Sequence, residues 1–118
     1  MRLALSFILL INVAFAAKSY DSFLVSVGDQ KITVISPKKI NKNVTIVVEN
    51  KTFDKVISEI RTSDKVLKRF TLFPSGRKDS TFTVTIDFSK ANTIYYAPVS
   101  PPFQAVPLTP SKGTYEIP

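Results

Sequence analysis

The 118-residue chain has no cysteine, no histidine and no tryptophan. Without cysteine and histidine, Ser-His-Asp and Cys-His nucleophilic catalysis are excluded, and so are zinc sites of the Cys/His kind. A small exported protein without disulfides holds together by packing alone, which excludes the disulfide-rich secreted scaffolds and favours a bacterial envelope protein. Glycine is scarce: Gly28, Gly76 and Gly113 are the three in the chain, and none sits in a phosphate-binding repeat. Acids are the minority charge, nine against sixteen basic residues. Two acidic pairs, Glu49 with Asp54 and Glu59 with Asp64, have the residue type that glycoside hydrolysis uses. Both read as ordinary surface acids beside lysines, and no EF-hand spacing exists. These absences lead to a non-enzymatic protein with no cofactor and no metal.

Long apolar runs are limited to one. Arg2 precedes Leu3 to Phe15, interrupted only by Ser6 and Asn12, and Ala14-Phe15-Ala16 follows. A short positive start, an apolar stretch and small residues at cleavage spacing make residues 1–16 a secretory signal peptide. The run is shorter than the roughly 20 residues a spanning helix needs. The expected product is exported, periplasmic or extracellular, and is not an integral membrane protein after cleavage. Residues 17–118 are read as one domain, and loss of Arg2 lowers the formal charge from +7 to +6. That basic balance draws the protein to anionic surfaces.

What is present reads as strand. Phe82, Val84, Ile86 and Phe88 fall on one side of an extended Ser80–Phe88, with Thr81, Thr83, Thr85 and Asp87 on the other. Such a face requires a second layer over it. Phe23–Val27, Ile32–Ile35, Val44–Glu49, Val66–Phe73 and Thr93–Ala97 read as further strands, with Pro74-Ser75-Gly76 as a strong turn between two of them. The second strand is either a hairpin partner or a bulged continuation of the first. Phe53, Val56, Ile57 and Ile60 recur at i, i+3, i+4 and i+7, so Phe53–Ile60 is expected to be an irregular or one-to-two-turn helical excursion capped by Asn50 or Thr52, with a short strand over Val56–Ile60 as the alternative. Six of the eight prolines lie from Pro98 onward. There a strand is expected only in short pieces such as Gln104–Leu108 or Thr114–Ile117.

Three basic groups stand out: Lys38, Lys39 and Lys42; Lys65, Lys68 and Arg69; Arg77 and Lys78. If the turns at one end gather them, they form an electrostatic surface for an acidic partner; the alternative is a solvated face that keeps the protein soluble. No aromatics are interleaved with them as a nucleic-acid stacking platform requires, so no nucleic-acid partner is expected. Asn43-Val44-Thr45 and Asn50-Lys51-Thr52 match the N-glycosylation acceptor pattern, which has meaning only in a eukaryotic secretory route.

The order of landmarks resembles the carboxy-terminal two-thirds of the cupredoxin-like domain family, over roughly Ile32 to Phe103. It runs from a strand ending in Asn50, through Phe73-Pro74-Ser75-Gly76 and the alternating Phe82–Phe88, to Thr93-Ile94-Tyr95-Tyr96-Ala97-Pro98. The resemblance implies a small exported Greek-key β-sandwich of about seven strands, cupredoxin-like or immunoglobulin-like in topology. It also implies where the copper ligands would fall. Thr52-Phe53-Asp54-Lys55 stand where the first histidine is expected, Ala97 near the cysteine, and Ser100 to Ala105 across the remaining ligands. Type-one copper sites use thiolate and imidazole, so the family's electron-transfer role is not carried over.

In the family's geometry, the end of the Tyr95-Tyr96 strand lies near the metal pole, where Phe53, Ala97 and Phe103 are placed to fill the vacated site. The expected partner-binding residues are Phe73, Tyr95, Tyr96 and Phe103, because tyrosine and phenylalanine suit an interface. The functional expectation is a protein-binding or assembly module that docks another envelope or extracellular protein with an acidic surface. The alternatives are a structural subunit of a surface appendage or envelope complex, and a weak oxygen-ligand carrier of metal or small molecules.

Overall fold

The computed structural model describes residues 22–40, 42–90, 93–100, 104–110 and 113–117. The expected leader and Phe103 lie outside the described residues. Among the described residues, nine strands form two sheets, of five and four strands. The first sheet has the order β6-β3-β1-β2-β9, from β6 (Thr81–Asp87), β3 (Asn43–Asn50), β1 (Ser22–Val27), β2 (Ile32–Ile35) and β9 (Thr114–Ile117). The second has the order β5-β4-β7-β8, from β5 (Val66–Leu72), β4 (Val56–Arg61), β7 (Tyr95–Ser100) and β8 (Val106–Pro107). The chain is thus an all-β sandwich.

β1 and β3 pair in parallel, with Phe23 opposite Ile46 and Val25 opposite Val48; every other pairing is antiparallel. Parallel neighbours cannot be joined by a tight hairpin. Accordingly β2 pairs back on β1 as a hairpin, and residues 36–42 then carry the chain to the far side of β1. The C-terminal ends of β1 and β3 and the start of β4 define one pole of the sandwich. The connections 36–42 and 62–65 lie at the other.

Period-two alternation builds the core. Phe23, Val25, Val27, Ile32, Val34, Val44, Ile46 and Val48 are buried from the first sheet. Val56, Ile60, Phe70, Leu72, Tyr96 and Val106 meet them from the second. Each such side chain contributes roughly 1.5–3 kcal/mol when fully buried. Phe82, Val84, Ile86 and Phe88 pack against this core as their alternation requires. They are only half-buried, because β6 is an edge strand. The Phe82 ring stacks on Phe70 of the opposite sheet at 4.2 Å between centroids, and Phe88 stacks on Phe23 at 5.6 Å.

The helical excursion favoured for Phe53–Ile60 is not formed; the alternative, a short strand from Val56, is β4, entered through bends at residues 52–54. Its alternation is hidden in the sequence because polar residues occupy positions that read as exposed. Ser58 faces the core and bonds the Tyr96 hydroxyl at 2.7 Å. Glu59, on the outer face, is covered by Arg61 at 3.3 Å and Arg69 at 3.0 Å. The strands of the proline-rich segment, β8 and β9, fall within the two short pieces expected there, Gln104–Leu108 and Thr114–Ile117. There Pro107 sits on the edge strand β8, where its missing donor costs no ladder bond to a further strand. No helix among the described residues is long and apolar enough to cross a membrane.

Candidate functional site

Asn50, the last residue of β3, is only 1% exposed and organises one pole. Its Nδ2 donates to the carbonyl oxygens of Asp54 at 2.7 Å and Phe73 at 3.0 Å. Its Oδ1 accepts from the Thr52 amide at 2.9 Å and the Thr52 hydroxyl at 2.7 Å. These bonds use both donors and both lone pairs of the side-chain amide. The Asp54 amide donates to Thr52 Oγ1 at 3.2 Å, and the Ser75 amide donates to the Thr52 carbonyl at 2.8 Å. A buried amide so satisfied fixes its neighbours, because each bond left unmade would leave a desolvated polar group.

Two loops, residues 51–55 and 73–80, are thereby fastened to one side chain and to each other. The second closes on itself through Phe73 N to Asp79 O at 3.0 Å and Arg77 N to Pro74 O at 3.1 Å. Gly76 has φ +82°, the left-handed conformation that the expected turn requires of glycine. Asp79 also has positive φ, at 69°, a conformation that aspartate tolerates better than most residues.

The fastened loops hold phenylalanines outward. Phe53 is 85% exposed, and Phe73 39%. Phe73 lines a shallow cleft of about 310 Å³ with Arg77, Lys78 and Asp79. Lys51 and Lys55 are exposed on the first loop. The two loops therefore combine aromatic surface with the cations Lys51, Lys55, Arg77 and Lys78 and the acids Asp54 and Asp79.

The structure separates the aromatic residues that the sequence grouped. Phe73 is at this pole. Tyr95 pairs with Arg61 and Pro107 at the far end of the second sheet, five residues along β4 from Val56, or about 17 Å at the strand rise. Tyr96 is not a surface residue: it is 0% exposed, and its ring lies 6.5 Å from Phe70. Burial pushes its phenol up to about 12 against the opposing effect of the Ser58 bond. Adjacent residues in a strand point to opposite faces, so the Tyr95-Tyr96 doublet divides between outside and core. Phe53 does not fill a vacated site as expected; it points to solvent.

The eight cations divide as well. Lys38, Lys39 and Lys42 lie in the 36–42 connection at the opposite pole, with Lys65 in the turn between β4 and β5. Lys68 and Arg69 lie along β5, and Arg69 is held by the Glu59 carboxylate. Only Arg77 and Lys78 stand with Phe73. One gathered electrostatic surface is therefore not formed. The Glu59 carboxylate engages two arginines and is not an acid partner for Asp64. The Asn50 sequon has a structural use, since its nitrogen is committed inside the protein.

Sequence reasoning missed Phe53 as exposed and Asn50 as its support. A signal was present: Asn50 and Thr52, two residues apart after a strand, are the residues whose side chains bond their own backbone in turns. Comparison with protein-family models, with curated proteins and with solved structures finds no match to this chain.

Proposed function

We propose that this chain is an exported, non-enzymatic protein-binding module on a cupredoxin-like sandwich without a copper site. Docking occurs through Phe53 and Phe73, and Lys51, Lys55, Arg77 and Lys78 match an acidic rim on the partner. The observation that carries this reading is that Phe53, 85% exposed, stands on loops fixed by a fully satisfied buried amide. A solitary exposed apolar residue needs no explanation; two phenylalanines among cations on a rigid scaffold do. Burying a phenylalanine in a partner is worth roughly 2 kcal/mol by area, and a pre-ordered loop loses little entropy on binding. The resemblance supports the same place, because residues 52–55 stand where the family carries a ligand.

The test is site-directed photo-crosslinking in the source cells, with a photoreactive phenylalanine analogue at position 53 and, separately, at position 38. The expected result is one discrete adduct from position 53, to a protein with an acidic surface, and none from position 38. The adduct is expected to disappear in the Arg77→Glu/Lys78→Glu background. Equal adducts from both positions, or none from position 53, would overturn the reading.

A further inference from the structure

The edges of the two sheets are not alike. β8 is two residues long and contains Pro107. β9 has four residues and carries Glu116, paired with Lys31 at 3.2 Å. β5 carries Lys68 and Arg69, and its register with β4 is irregular at Ile60/Arg61. Short length, proline, charge and irregularity all blunt an edge against pairing. β6 has none of these along most of its length. It runs seven residues, Thr81–Asp87, in unbroken register with β3, without proline, lysine or arginine.

The hydrogen-bond parity of β6 is fixed at its two ends. The Asn50 amide donates to the Ser80 carbonyl at 2.8 Å, and the Phe88 amide donates to the Lys42 carbonyl at 2.8 Å. Opposed residues in an antiparallel pair alternate between bonded and non-bonded. Phe82, Val84 and Ile86 therefore turn their backbone groups toward β3, and Thr81, Thr83 and Thr85 turn theirs away. No strand of the described residues lies on that side.

We propose that a second copy of this chain pairs there, β6 against β6, antiparallel about a two-fold axis. The strand is complementary to itself in this orientation. With Thr83 opposite Thr85 of the second copy, Thr81 falls opposite Asp87, Phe82 opposite Ile86 and Val84 opposite Val84. The central bonded pairs, Thr83 with Thr85 and their two-fold mates, then come from residues whose backbone groups point outward, and no two like charges meet within the ladder. The half-buried Phe82, Val84 and Ile86 gain cross-strand neighbours on the core side, and the threonines pair on the other. Elsewhere a chain of formal charge +7 repels its own copy; β6 has no cation to do so. Both strands are ordered before they meet, unlike a flexible peptide that must be ordered on binding. The contact is isologous and closes at two copies. It leaves the Phe53 pole outside the ladder, so this inference does not depend on the proposed function.

The experiment is sedimentation equilibrium of the full chain, produced from its complete coding sequence, over about 1–500 μM, with amide exchange measured at both ends of that range. The expected result is a monomer–dimer equilibrium in which the Thr81, Thr83 and Thr85 amides gain protection as concentration rises. Thr83→Pro removes an outward N–H and no bond to β3, so at least tenfold weaker association is expected with an unchanged far-ultraviolet spectrum. Thr83→Lys/Thr85→Lys sets like charges opposite each other and gives the same loss if the proline variant fails to fold. Monomer at every concentration would overturn the proposal and leave the edge to a foreign strand or to none. A dimer unchanged in the folded variants, or one formed without protection at the three threonines, would also overturn it.

Discussion

At the pole where β3 ends, Asn50 and Thr52 are buried, and the side chains held outward are Phe53 and Phe73. At the opposite pole the arrangement is reversed. Ser36 and Gly113 bond each other in exposed positions, Ser36 Oγ to the Gly113 carbonyl at 3.2 Å and the Gly113 amide to Ser36 Oγ at 2.9 Å. The exposed side chains there include Lys38, Lys39 and Lys42. Both ends join strands, but among the described residues the buried side-chain hydrogen bonds that fasten loops are those of Asn50 and Thr52. A solubilising surface has no need of that, because charged side chains work from many conformations. The difference indicates which end has a shape to preserve.

The largest expected effect breaks the comparison if it is absent. Asn50→Ala leaves the Phe73 carbonyl and the Thr52 amide without their partner, while the Thr52 hydroxyl keeps its bond to the Asp54 carbonyl at 3.1 Å, a loss of about 3 kcal/mol. For a domain of this size that lowers the thermal midpoint by roughly 15 °C. Ser36→Ala removes exposed bonds and is expected to cost under about 1 kcal/mol. Equal losses in urea titrations of the two variants would erase the distinction between the poles.

A pH effect separates the pole from another buried polar group, in the core between the sheets. The Tyr96 phenol is raised from 10.0 to about 12 by burial. Below pH 10 it is protonated in both folded and unfolded chains, and its contribution to stability is complete. Between pH 10 and about 12 the unfolded chain ionises and the folded chain does not. Stability therefore falls as pH rises, by on the order of 3 kcal/mol. Tyr115 is shifted in the same direction by its partial burial. Tyr96→Phe is expected to remove most of this alkaline loss, while leaving the Ser58 hydroxyl without its partner at neutral pH. Because Asn50 and Thr52 do not titrate, Asn50→Ala is expected to keep the full alkaline slope in denaturation measured across that range.

The smallest expected effect lies at the lysine-bearing pole. Replacing Lys38, Lys39 and Lys42 together by glutamine is expected to change stability by less than about 0.5 kcal/mol, as surface substitutions usually do. The adduct at position 53 is expected to persist. Its loss would move the docking surface to the other end of the molecule.

The sandwich was legible where one physical rule acted alone. Phe82–Phe88 and Val44–Val48 alternate, and both face the core as the alternation requires. Gly76 marks the turn that needed a positive φ. Legibility failed where tertiary partners reversed a local preference. Ser58 is buried because Tyr96 meets it, and Glu59 because two arginines cover it; a strand so composed mimics a helical stripe. The site was less legible than the fold. Phe73, Arg77 and Lys78 were singled out from sequence and stand together, whereas Tyr96 went to the core by strand parity. Phe53 resembles a core residue in composition, and only the position of Asn50 in space explains why it faces water.

On the proposed reading, Phe53 serves contact and not folding. This is tested most directly by calorimetric titration of Phe53→Ala against the partner that crosslinks to position 53, beside a melting curve of the same variant. The expected result is an unchanged melting temperature and an affinity weakened at least tenfold, about 1.4 kcal/mol. Full affinity with a lowered melting temperature would contradict it, because Phe53 would then stabilise the fold and leave the partner to other residues.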